Sequence, residues 1–119
     1  MNDILEWTFI AKSKLPEMVE AIFASNEEHV ASYKTIRDTA TFTNKRLIVR
    51  DSQGFTGTKV EMFSIPYSSI NMWSTENAGI LKDLDGEVTL WTRSGTFKIK
   101  LRKGIDVRDF ERVIAEAIF

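Results

Sequence analysis

Between positions 28 and 102 the chain is written in short runs of β-branched and aromatic residues, and turn-forming residues interrupt them every eight to twelve positions. That rhythm predicts extended structure, with strands at 29–36, 39–43, 46–50, 58–65, 70–75, 87–93 and 96–102, seven in all. The breaks have physical causes. Asp51-Ser52-Gln53-Gly54 and Gly57 make a flexible hairpin end, Pro66 removes a ladder donor, and Asn77-Ala78-Gly79 and Asp83-Leu84-Asp85-Gly86 offer positive-φ positions.

The last two runs form the clearest hairpin. With Ser94-Gly95 as a two-residue loop, Val88, Leu90 and Thr92 oppose Leu101, Ile99 and Phe97 on the core side. The other face pairs Glu87 with Arg102, Thr89 with Lys100 and Trp91 with Lys98, a polar surface carrying one large aromatic.

After Gly104 the period changes. Asp106 stands as an N-cap, and Phe110, Val113, Ile114 and Ala117 fall on one helical face, predicting a helix over 107–118 whose Arg108, Asp109, Glu111, Arg112 and Glu116 face water. Burying each large apolar member of that face contributes about 1.5–3 kcal/mol, so the helix belongs to the fold. The start of the chain also reads as helical, near 3–11 and 16–24, joined by Lys12-Ser13-Lys14. Pro16 suits a first helical turn. A helical hairpin this short needs its apolar face docked, on the same barrel or on a neighbouring subunit.

These elements describe one domain over 1–119, a helical segment at 1–26 followed by a barrel with its helix at 27–119. Hydrophobic residues make up 43% and charged residues 28%, a globular balance that excludes a disordered tail. The absence of cysteine removes disulfides, thiolate nucleophiles and thiolate metal sites. Acidic residues at positions 3 and 6 do not fit a signal peptide, and a cytoplasmic location is expected. Residues 1–28 carry a net charge of −4 and residues 29–119 a net +3, too little basic field to select nucleic acid.

The residues that catalytic constellations require are sparse along the chain. His29 is the single histidine, and no Gly-x-Ser-x-Gly elbow accompanies it. One imidazole does not make a zinc site. Counting from Asp83, the glycine and glutamate that a calcium loop requires fall on Val88 and Ser94, so Asp83, Asp85 and Glu87 read as a solvated turn. Gly54-Phe55-Thr56-Gly57 lacks the spacing of a phosphate loop. No enzyme activity, cofactor or metal is expected.

Three motifs occur in order: Phe42-Thr43-Asn44-Lys45-Arg46-Leu47-Ile48, Ser64-Ile65-Pro66-Tyr67 and Glu76-Asn77-Ala78-Gly79. Together they resemble the bacterial pleckstrin-homology-like family over residues 28–118. The resemblance implies a mainly β fold with α, a PH-like barrel of seven antiparallel strands in two roughly orthogonal sheets with a C-terminal capping helix, preceded here by the N-terminal helical segment. It also implies ring-shaped oligomers, and it brings no catalytic residues. Read physically, Thr43-Asn44-Lys45-Arg46 is a tight turn in which Asn44 tolerates a left-handed conformation; an anion-binding turn is the alternative. Lys34 and Arg37 beside Asp38 are a poor clamp for several phosphates, which argues against specific phosphoinositide recognition.

The leading expectation is a non-enzymatic interaction module whose partners are copies of itself and other proteins. Trp7 and Phe9 on the terminal segment, with Trp91 and Lys98 on the charged hairpin face, are its candidate interaction residues. The alternative is a domain for a small ligand or an anionic membrane surface, drawn weakly by Lys98, Lys100, Arg102 and Lys103.

Overall fold

The computed structural model describes residues 4–53, 59–76 and 86–119. All seven expected strands are present, and an eighth precedes them. The order is β1 (Ile4–Ser13), α1 (Glu17–Glu20), β2 (His29–Thr35), β3 (Thr39–Thr43), β4 (Arg46–Gln53), β5 (Lys59–Pro66), a 3-10 turn (Tyr67–Ser69), β6 (Ile70–Glu76), β7 (Gly86–Thr92), β8 (Gly95–Leu101) and α2 (Val107–Ile118).

The N-terminal helical segment expected from the sequence is not there. Residues 4–13 form a strand, and only one helical turn follows at Glu17–Glu20. The apolar residues crowded at Ile4, Leu5, Trp7 and Phe9 hide a period of two, with Trp7 and Phe9 turned to the interior. β1 lies between β2 and β8, antiparallel to the first and parallel to the second. It therefore joins two antiparallel meanders, β2 to β5 and β6 to β8, into one eight-stranded sheet of order β5-β4-β3-β2-β1-β8-β7-β6. This corrects both the count of seven and the division into two sheets, because β1 closes the gap that would separate them.

Inside the curved sheet, Phe9, Tyr33, Phe42 and Phe110 interlock, with ring centroids 5.2–6.2 Å apart in stacked and edge-on pairs. Phe110 arrives from α2 with Ile114 and Ala117, all buried as their spacing requires. Asp106 caps the helix, Oδ1 accepting from Arg108 N at 2.8 Å. Gly104, at φ 107°, turns the chain between β8 and α2. Glu111 departs from its expected wet face: its carboxylate accepts from Trp73 Nε1 at 3.1 Å and Thr75 Oγ1 at 3.0 Å, tying α2 to β6.

The β7–β8 loop is Arg93-Ser94, one position earlier than expected, so Val88 opposes Ile99 and Leu90 opposes Phe97. Gly95 takes φ 146°, and Thr92 Oγ1 holds the turn through Ser94 N and Gly95 O. Each partner moves by two positions, which leaves every side chain on its predicted face.

A second, smaller core lies on the outer side. Ser32, Thr41 and Ile48 form one cross-strand row facing away from the barrel, yet all are buried, as is Val19 from α1. The segment between β1 and β2 thus straps the outer face of β2 to β4. His29 Nε2 and Ser32 Oγ lie 2.9 Å apart, and Ser32 Oγ and Thr41 Oγ1 2.8 Å apart, continuing the polar row beneath the strap. Burial pushes the His29 imidazole down from its ordinary value, against the opposing charge of Glu20.

Candidate functional site

The β3–β4 turn holds the densest polar network among the described residues. Thr43 Oγ1 donates to Glu27 Oε2 at 2.6 Å and accepts from Lys45 N and Arg46 N, both at 3.0 Å. Arg46 grips the same carboxylate twice at 2.9 Å, and reaches Ile22 O at 2.8 Å and Ser64 Oγ at 3.0 Å. Asn44 pairs with the backbone of Asn26 and Glu28. The Tyr67 hydroxyl donates to Thr43 O at 2.7 Å, with Arg46 O at 2.9 Å. The motif residues Thr43, Asn44, Arg46, Ser64 and Tyr67 therefore fasten the end of the strap to the sheet.

Two expectations change here. Asn44 acts through its side chain, since no non-glycine residue among those described has positive φ. Arg46 is spent on Glu27, whose side chain is 0% exposed, so the turn does not offer it to an anion. Glu27 carried no sequence signal, because a glutamate next to a second glutamate reads as surface. Hydrogen bonds from Arg46 hold its carboxyl down to about 2 from 4.5, with Thr43 and Ala24 assisting against the opposing cost of burial. Burial also pushes the Tyr67 phenol upward.

The four candidate interaction residues are dispersed. Phe9 is 0% exposed at the centre of the core, so it is a packing residue and leaves the list of surface candidates. Trp7 is half-buried and stacked on Phe97, centroids 5.3 Å apart. Trp91 is 37% exposed, with Thr96 rather than Lys98 opposite it on β8 and the 55% exposed Met72 opposite it on β6. Lys98 lies across from Thr89 and makes a 3.8 Å ion pair with Glu87.

Trp91 and Met72 border a sheet end. β5 and β6 are the outermost strands and pair on one side only among the described residues. They differ in character. β5 carries Lys59 and Glu61 near its start and Pro66 at its end, with the uncharged Met62-Phe63-Ser64-Ile65 between them, whereas β6 reads Ile70-Asn71-Met72-Trp73-Ser74-Thr75 before its first charge at Glu76. A cleft opens elsewhere, between β1, β2 and the first turn of α2, with Tyr33 in its wall.

A family model described as the bacterial PH domain matches residues 1–118. The chain belongs to that family. The Bacillus subtilis protein YjqA, itself described as uncharacterised, is 36% identical over 109 residues, 89% of this chain and 86% of that protein. A crystal structure of a DUF1696 family protein with a pleckstrin-homology domain from Shewanella loihica is similar at TM-score 0.78 and 38% identity, covering 92% of this chain and 97% of that one. The pleckstrin homology domain structure from Shewanella amazonensis is similar at TM-score 0.66 and 38% identity, covering 86% and 83%.

The match begins at residue 1, so this PH domain includes the strand that the motifs at 42–79 left outside. Of those motifs, Asn77-Ala78-Gly79 lies outside the described residues, as do Asp83, Asp85 and the turn at 54–58. In the first antiparallel hairpin, Arg37 faces Asp51 at 3.8 Å and Asp38 binds Arg50 and Ser52. Arg37 and Arg50 are thus answered by acids, which sequence spacing alone did not reveal for Arg50. On the opposite half, Lys100 pairs with Glu6 at 3.1 Å, so β1 balances the basic face of β8. No helix among the described residues is long and apolar enough to cross a membrane.

Proposed function

We propose that this PH domain is a non-enzymatic, cytoplasmic assembly module that associates with copies of itself through the free edges of β5 and β6. The observation that carries the reading is the open sheet: one continuous eight-stranded sheet ending in two unlike strands, each paired on one side only among the described residues. Unpaired N–H and C=O groups on an edge strand are a template for another strand. Because the two edges differ, β6 of one copy meets β5 of the next head to tail, and such a contact closes into a ring when its rotation allows. Trp91 and Met72, exposed side by side at the uncharged edge, supply the apolar surface that a lasting contact needs.

Two features support the rest of the reading. His29, the single imidazole, is engaged with Ser32 beneath the strap. The Lys98 and Lys100 ammonium groups are answered by Glu87 and Glu6, which weakens the case for an anionic membrane surface. Light scattering on the purified protein across a concentration series tests the proposal. The expected mass is a fixed multiple of 13.6 kDa. A monomer mass at every concentration overturns it.

A further inference from the structure

The cleft between the C-terminal half of β1, β2 and the start of α2 has a volume of about 340 Å3, within the range of small-molecule sites. Its construction is specific. A β-bulge between Phe9 and Ala11 shifts the β1 register, so that Lys12 sits directly opposite Tyr33 and shares its face of the sheet. Tyr33 is 1% exposed, and its ring is fixed against Phe9, Phe42 and Phe110. Tyr33 lines the cleft, and its hydroxyl, which makes no hydrogen bond to another described residue, is not among the buried atoms left without a partner, so its oxygen opens to the cleft. A phenol held by its ring and reaching a cleft in this way is available to a ligand acceptor. Burial, with the Asp109 charge adding to it, pushes that phenol up to about 12, so it keeps its proton to donate.

The remaining walls carry both signs. Lys12 and Lys103 stand with Asp106 and Asp109, and Ile105 and Phe110 make the apolar part. Asp106 is committed to capping α2, and Asp109 Oδ1 accepts from Arg112 Nη1 at 2.8 Å. A simple anion drawn by Lys12 would meet two carboxylates, and a simple cation would meet the ammonium groups. A molecule carrying one charge of each sign satisfies both.

We propose that this cleft binds a small zwitterion of the free α-amino-acid class, its carboxylate on the Tyr33 hydroxyl and Lys12, its ammonium on Asp109, and its apolar side chain against Ile105 and Phe110. The site uses none of the edge residues of β5 or β6, so its failure would leave the assembly reading untouched. Calorimetric titration and amide-resolved NMR of the full chain provide the test, using L-leucine and L-phenylalanine beside their N-acetyl and methyl-ester forms, with acetate and methylamine as single-charge controls. Saturable binding of the free amino acids is expected, with shifts centred on residues 10–12, 33 and 103–110. Blocking either charged end weakens binding about ten-fold or more. Tyr33→Phe and Lys12→Gln each weaken it about five-fold or more while melting temperature and oligomer mass stay unchanged. No saturation by about 10 mM, equal affinity for a blocked form or a single-charge control, or undiminished affinity in Tyr33→Phe would each overturn the proposal.

Discussion

The β3–β4 turn and the outer edge of β6 are both rich in polar groups, and they treat them in opposite ways. At the turn, Glu27 and Arg46 satisfy each other and the backbone around them, and the Tyr67 hydroxyl closes the knot. At the edge, a row of backbone groups has no partner within the described chain, and Met72 and Trp91 lie exposed beside it. A satisfied buried network contributes rigidity and resists change, whereas an unsatisfied edge costs little to alter and is available to a neighbour. Structural and functional roles should therefore separate under mutation.

The largest expected effect is at the turn. Arg46→Ala leaves the buried Glu27 carboxylate without its counter-ion, and urea denaturation should report a loss of about 3–5 kcal/mol. If the loss is under about 1 kcal/mol, the turn is an ordinary surface pair and the contrast with the edge collapses.

Acid provides a second handle on the same pair. The Glu27 carboxyl is lowered from 4.5 to about 2, so its contribution is complete above the ordinary value and fades as pH falls from there towards 2, by up to about 3 kcal/mol. Glu27→Gln should be less stable than wild type at neutral pH, and the gap should narrow across that window. A gap that stays constant with pH would show that the lost stability has another source.

Smaller still is the tie between α2 and β6. Glu111→Ala strands the Trp73 indole N–H and the Thr75 hydroxyl, and thermal unfolding should show a cost of about 1 kcal/mol. The least expected change in folding is at the edge itself. Met72→Lys should alter stability by less than about 0.5 kcal/mol, while light scattering should show a smaller assembly. An equal loss of stability and assembly would mean that the edge is part of the fold and not a separate surface.

Much of the barrel was legible because its signals are local. Strands at 29–36, 39–43 and 46–50 are short runs rich in β-branched and aromatic residues bounded by turn-forming ones, and α2 announces itself through Asp106 and the spacing of Phe110, Ile114 and Ala117. β1 was misread because Ile4, Leu5, Trp7 and Phe9 crowd together, and short apolar runs do not distinguish a strand from a helix. Its place between β2 and β8 depends on contacts distant in sequence. The same limit hid Glu27, Asp38 and Arg50, whose meaning lies in partners 12 or more positions away. The sequence predicts the face of Trp91 but not its opposite residue, since a two-position slip of the hairpin conserves faces and changes partners. Lys12 reached the cleft only through a bulge, which no periodicity encodes.

Residue-resolved amide hydrogen exchange of the native protein, compared between high and low concentration, tests edge pairing most directly. In the assembled protein, the outward N–H groups of β5 and β6 are predicted to exchange as slowly as those of the inner strands and to lose that protection on dilution. Fast exchange along both strands at every concentration would contradict the account.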